Sequence, residues 1–153
     1  MKNKVCSCFG HREIYHNIDS IYSKLENIII NENVYVFMTG GMGEFDELFS
    51  STIRQLKIKY PNIKLLLIAP YFTQKINLNK EYLQTMYDEI IIPDCVINSH
   101  YKSAISVRNR WMVENSDIIL SYIHRNFGGA FTAVKYAVRL NKKVINLYNQ
   151  IIN

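Results

Sequence analysis

The six glycines of this chain fall in three short stretches, and each stretch carries groups suited to holding an anion. The first is Phe9-Gly10-His11-Arg12. A glycine lets backbone approach a ligand closely, and an adjacent helix start presents free N–H groups. Arg12 would add a forked contact to phosphate. Taken alone, this stretch reads first as a plain strand-to-helix turn with an exposed basic pair.

The second stretch is Thr39-Gly40-Gly41-Met42-Gly43-Glu44-Phe45-Asp46. Closely spaced glycines between a strand and a helix make a backbone nest suited to phosphate. No Gly-Lys-Ser/Thr follows, so it is not a P-loop, and the G-x-G-x-x-G spacing of dinucleotide sites is absent. Glu44 and Asp46 would sit in the first helical turn, where acids complement the macrodipole. The alternative has one of them bonding ribose hydroxyls or assisting hydrolysis. The third stretch, Asn126-Phe127-Gly128-Gly129-Ala130-Phe131-Thr132, offers exposed N–H groups and the Thr132 hydroxyl at another helix start.

One arginine sharpens this picture. Between Ser103 and Asn115 the residues Ala104, Ile105, Arg108, Trp111 and Met112 share one face of a helix. An arginine inside an apolar stripe requires an anionic partner, because an unpaired buried charge is costly. That partner is a ligand phosphate or a carboxylate such as Asp46 or Asp117. Arg110 points the opposite way, toward solvent or a second subunit.

Other chemistry is sparse. Cys6, Cys8 and His11 lack a fourth ligand with zinc spacing, so they read as buried small residues and no metal site is expected. His16, His100 and His124 show no ligand spacing. No nucleophile elbow or H-E-x-x-H is present. The lysines and arginines are scattered along the sequence and make no basic stripe.

These groups must be positioned by the elements around them. Apolar runs at Val5–Phe9, Val34–Met38, Leu65–Ala69, Glu89–Ile92, Asp117–Ile123 and Val144–Tyr148 read as strands. Between them, apolar residues recur at helical spacing: from Ile14 to Ile29, from Phe45 to Leu56, from Ser103 to Asn115 and from Ala130 to Leu140. Glu81–Tyr87 reads as a short helix and Thr73–Asn79 as loop. Nearly all-apolar strands alternating with helices predict an α/β, doubly wound, mainly parallel sheet flanked by helices. In such folds ligands sit at the carboxyl ends of the strands, where these glycines lie.

The 153 residues suit a single domain. With 48% hydrophobic and 20% charged residues the chain can build a core. The net charge of +5 hints at an anionic partner. No apolar run approaches bilayer length, and Met1-Lys2-Asn3-Lys4 precedes too short a run for a signal peptide. Three cysteines argue against a disulfide framework and fit a reducing cytoplasm.

In combination, these residues resemble the SLOG superfamily, the Rossmann-like domains shared with DprA/Smf and LOG proteins, and most closely its YpsA-like branch. The resemblance rests on Phe9-Gly10-His11-Arg12, on Gly40 to Asp46, and on Arg108-Asn109-Arg110-Trp111-Met112-Val113-Glu114. It continues through Ser116-Asp117, Gly128-Gly129, Tyr136-Ala137 and Val144-Ile145-Asn146-Leu147. It implies a Rossmann-like fold and binding of a nucleotide or nucleotide-derived ligand, of the ADP-ribose or NAD-derived type. It further implies a homodimer or higher oligomer.

The LOG branch is a nucleoside 5′-monophosphate phosphoribohydrolase with the motif Pro-Gly-Gly-x-Gly-Thr-x-x-Glu and a catalytic glutamate. Here Gly128, Gly129 and Thr132 match, while Lys135 stands in the glutamate's place. Lys135 cannot replace a carboxylate, but it can contact a phosphate. The resemblance therefore ranks ligand binding, with no cofactor required, above N-glycosidase activity. Glu44 is the remaining candidate for catalysis. The expected ligand-binding set is Gly10, His11, Arg12, Gly40, Gly41, Met42, Gly43, Asp46, Arg108, Gly128, Gly129, Thr132 and Lys135. DprA-like binding of single-stranded nucleic acid ranks behind both.

Overall fold

Strand and helix alternate along the chain in the computed structural model, which describes residues 3–14, 20–71 and 78–148. The first half runs β1 (Lys4–Gly10), α1 (Ile21–Glu32), β2 (Val34–Thr39), α2 (Glu44–Lys59), β3 (Lys64–Ile68), α3 (Lys80–Met86) and β4 (Glu89–Ile91). A short α4 (Asp94–Ile97) and a 3-10 turn (Tyr101–Ser103) lead into α5 (Ala104–Glu114). The chain then forms β5 (Ile118–Tyr122), α6 (Gly129–Arg139) and β6 (Lys143–Asn146).

The six strands form one sheet in the order β4-β3-β2-β1-β5-β6, and every neighbouring pair is parallel. The chain steps outward from β1 to β4, then returns to place β5 on the other side of β1. In that pair Gly10 lies level with Tyr122. The segment after β1 leads to α1 on one face, and the segment after β5 leads to α6 on the other. The connections diverge there and leave a crevice at the strand ends, the switch point of a doubly wound sheet.

Both faces are covered, which is why the strands are so apolar. Leu25 and Ile28 of α1 and Phe49 and Ile53 of α2 pack on Cys6, Cys8 and Phe37. On the opposite face, Met112 and Val113 of α5 and Ala133 and Ala137 of α6 pack on Phe9, Met38 and Ile119. Adjacent residues of β1 therefore serve different layers, as strand alternation requires.

Residues 15–19 of the helical spacing that begins at Ile14 lie outside the described residues, and α1 begins at Ile21. Ile14 lies outside it and gives its N–H to Glu44 Oε2 at 3.0 Å. The short α4 and the 3-10 turn were not legible, since four-residue and three-residue elements carry no periodicity. His16 and most of the Thr73–Asn79 stretch lie outside the described residues. Among the described residues, no helix is long and apolar enough to cross a membrane.

Candidate functional site

A cleft of about 270 Å³ opens at the switch point. The turn after β1 supplies Gly10, His11 and Arg12, and the turn after β2 supplies Gly40 and Met42. Asp46 enters from the first turn of α2, Arg108 from α5, and Gly128 and Gly129 from the start of α6. Parallel strands all deliver their carboxyl ends to one edge, so segments more than a hundred residues apart meet there.

Arg108 is 3% exposed. Its Nη1 donates to the carbonyl of Ile68 at 2.9 Å and to that of Gly40 at 3.3 Å. Its Nε donates to Asn109 Oδ1 at 2.8 Å, which fixes the plane of the guanidinium. Burial pulls its pKa down, and the field of Asp46 works against that pull. Among the described residues no carboxylate forms an ion pair with it. Asp117, the other acid considered as its partner, instead accepts the N–H of Val5 at 2.9 Å, near the amino end of β1.

Asp46 combines two roles. Its Oδ2 accepts the N–H of Met42 at 2.9 Å, which caps the approach to α2. Its Oδ1 accepts from the Cys8 thiol at 3.5 Å. Burial pushes its pKa up to about 6, against the Met42 and Cys8 hydrogen bonds and the charge of Arg108. Burial also pushes the thiols up, Cys6 to about 12 and Cys8 well above its usual range. Thiols held protonated in this way suit packing rather than metal ligation.

His11 is 4% exposed, and its Nε2 has no hydrogen-bond partner among the described residues. Its ring meets that of His124 edge-on, with centroids 4.5 Å apart. Burial, the Arg125 guanidinium and His124 lower its pKa to about 4, so it is neutral at pH 7. Arg125 also lines the cleft and lies over the Phe127 ring at 4.7 Å. Its Nε is likewise buried without a partner among the described residues. Sequence reasoning missed Arg125. The available signal was its place in the turn after β5, matching that of Arg12 after β1.

The remaining expected residues are placed elsewhere. Gly41 gives its N–H to Thr39 Oγ1 at 3.1 Å, so this amide and that of Met42 serve the turn itself rather than an anion. Gly43 holds φ at +95°, and a Cβ there would come within 2.7 Å of Arg12 Cα. Its role is to let the first two turns touch, and the N–H of Glu44 donates to the Arg12 carbonyl at 2.8 Å. Glu44 itself is exposed, is turned to Ile14, and does not line the cleft. Thr132 spends its hydroxyl on the Gly128 carbonyl at 3.0 Å. Thr132 and Lys135 line a separate groove between α5 and α6. Gly128, Gly129 and Ala130 line the cleft at the start of α6, where the first N–H groups of a helix have no intrahelical acceptor.

A parallel sheet with opposed helical layers and a crevice at its switch point defines a Rossmann-like α/β domain. The chain belongs to the YspA SLOG family, whose model matches residues 10–151. It is 28% identical over 123 residues to a UPF0398 protein of Brevibacillus brevis, covering 76% of this chain and 64% of that protein. It is 24% identical over 134 residues to YoqJ, an uncharacterized SPbeta prophage-derived protein of Bacillus subtilis, covering 78% of each. Among solved structures it is similar to DNA processing protein A (DprA) of Streptococcus pneumoniae, with a TM-score of 0.64 at 14% identity. That likeness spans 93% of this chain and 49% of the pneumococcal one. The Helicobacter pylori DprA, described for its single-stranded DNA binding mode, gives a TM-score of 0.62 at 14% identity, over 97% and 71% of the two chains. The chain thus spans about two thirds of the Brevibacillus relative (64%) and half of the pneumococcal DprA (49%).

Proposed function

We propose that the cleft binds a phosphorylated nucleoside, a mononucleotide or an ADP-ribose or NAD-derived molecule, and that the protein acts as a binder or sensor of it. Arg108 carries this reading. A guanidinium buried at the cleft without a carboxylate ion pair among the described residues calls for an anion from outside. Arg12, Arg125, the neutral His11 and the start of α6 surround the same space. A thermal-shift panel of AMP, ADP-ribose and NAD tests it. The expected result is a concentration-dependent rise in Tm with at least one of them, and no shift with any phosphorylated nucleoside overturns the reading.

N-glycosidase activity ranks lower. Asp46 is the one acid among the described residues of the cleft wall, and it is held by Met42 and Cys8. Chromatography of AMP incubated with concentrated protein is expected to show no free base. Release that disappears in Asp46→Asn would establish hydrolysis instead.

A second reading, binding of single-stranded nucleic acid, draws on a different observation. The groove between α5 and α6, about 940 Å³, presents Lys102, Arg110, Lys135 and Arg139 with no acid among its described lining residues. It adjoins the cleft at Ile105, Asn109 and Gly129. Four cations along one groove would release counterions from phosphates, so binding should fall steeply with salt. Fluorescence anisotropy of a labelled oligothymidylate at rising salt tests this, and no binding at low salt removes it.

A further inference from the structure

The Gly40–Gly41 turn is a wall one backbone thick, with a cavity on each side. On the cleft side, a Cβ at Gly40 would lie 2.8 Å from the Arg108 guanidinium. On the far side, a Cβ at Gly41 would lie 2.7 Å from Leu67 Cδ1 and 3.7 Å from the Tyr87 hydroxyl. Leu67 and Tyr87 belong to a second cavity of about 410 Å³, between α2 and α3 above the ends of β2 and β3. That volume falls within the roughly 300–1,000 Å³ of small-molecule sites. Both cavities are lined by Gly40 and Met42, so they are two chambers of one depression.

The chambers differ in chemistry. The cleft offers arginines and helix-end amides. The second chamber offers tyrosine rings from Tyr71, Tyr82 and Tyr87, and aliphatic walls from Leu67, Leu83 and Met86. None of the α3 side chains is buried, although Leu83, Met86 and Tyr82 are apolar or aromatic, and Tyr82 is 61% exposed. One polar pair stands at its edge. Arg54 bonds Glu47 at 3.3 Å, donates to the Met86 carbonyl at 3.4 Å and lies over the Tyr87 ring at 5.9 Å. A flat ring with a polar edge matches this lining, since aromatic faces stack on any base and the pair supplies both a donor and an acceptor.

We propose that the second chamber seats the heteroaromatic base of the ligand whose phosphate lies in the cleft, with the ligand crossing the Gly40–Gly41 wall. This rests on the phosphate reading of the cleft and adds where the base goes and which residues select it. Tyr71 and Tyr82 form the stacking surface, and the Arg54–Glu47 pair reads the base edge.

Calorimetric titration with AMP and with ribose 5-phosphate, which lacks the base, tests this. The titrations use the full chain and its Tyr82→Ala and Arg54→Met variants. Tyr82 is exposed, so its removal leaves the fold intact. The expected result is that AMP binds at least tenfold tighter than ribose 5-phosphate. Each variant should lose at least fivefold in AMP affinity while ribose 5-phosphate is unchanged. Equal affinities for the two probes, or an equal loss for both in the variants, overturns the base chamber while leaving the phosphate cleft standing. Binding of neither AMP nor ribose 5-phosphate overturns the base chamber, and the thermal-shift panel with ADP-ribose and NAD judges the phosphate cleft separately.

Discussion

Arg108 Nη1 donates to the Ile68 carbonyl at 2.9 Å, which ties α5 to the carboxyl end of β3 across the mouth of the sheet. The same guanidinium donates to Gly40 and is held in plane by Asn109. It is therefore preorganised, and an arriving anion would meet a group that has no rotamer entropy left to lose.

Arg108→Met should abolish the thermal shift produced by phosphorylated nucleosides. It should also destabilise the fold, because the Ile68 and Gly40 carbonyls lose their donor at a cost of about 1–3 kcal/mol. Urea denaturation with and without ligand separates the two effects. Arg108→Lys should restore part of the stability and little of the binding, since an ammonium cannot reproduce the fork.

Asp46 should make stability fall as pH rises. Its folded pKa of about 6 lies above the ordinary value of 3.8. Between those values the unfolded chain has released the proton and the folded chain has kept it. The stabilising effect of burying the neutral acid is thus complete below about 4 and lost above about 6, an amount of order 3 kcal/mol. Denaturation of Asp46→Asn across this range should lack that component. Anion binding to the unmodified protein should strengthen on acidification through pH 6, as the carboxylate beside the ligand is neutralised.

His11 should act in the opposite direction. Its folded pKa of about 4 lies below the ordinary 6.5, so its contribution is present above 6.5 and lost as pH falls toward 4. The two groups offset each other in the unmodified protein. Stability of His11→Gln should rise on acidification from pH 6.5 to 4, and that of Asp46→Asn should fall. Parallel pH profiles for the two variants would refute the assignment of buried neutral forms.

Gly43→Ala should destabilise the protein by about 1–3 kcal/mol, the typical cost of forcing a side chain into a backbone region that only glycine occupies easily. The Arg12 backbone, 2.7 Å from the added carbon, leaves no room to relax. A lowered denaturation midpoint with an unchanged m-value is the expected signature.

Arg125→Ala should weaken nucleotide binding roughly tenfold, in line with one lost charge-assisted contact. Lys135→Ala should leave it unchanged, because Lys135 lines the groove between α5 and α6 instead. If the oligonucleotide reading holds, the order reverses, and Lys135→Ala lowers the salt slope of that binding by about one.

Much of the fold was legible because its signals are local. Apolar strands, helical spacing and the glycines that follow β1, β2 and β5 are read within windows of a few residues. The order of the strands is not local. β1 and β5 pair across more than a hundred residues, and that pairing decides that the first and third glycine turns face each other. Helix rotation decides the acids. Glu44 and Asp46 are two residues apart, about 200° around α2, so one faces the Ile14 backbone and the other the cleft. Distance along a helix decides Lys135, six residues or roughly 9 Å beyond Gly129.

The sequence by itself determined an α/β chain with anion-suited turns at one edge and an arginine, Arg108, that had to be buried among apolar neighbours. Periodicity and composition suffice for that, since each reflects the burial of single elements. Only the tertiary structure decided which groups share the cleft, added Arg125, and set Glu44 and Lys135 outside it. It also opened a second chamber behind Gly41. Those outcomes depend on strand order and helix rotation, which no single stretch of sequence encodes.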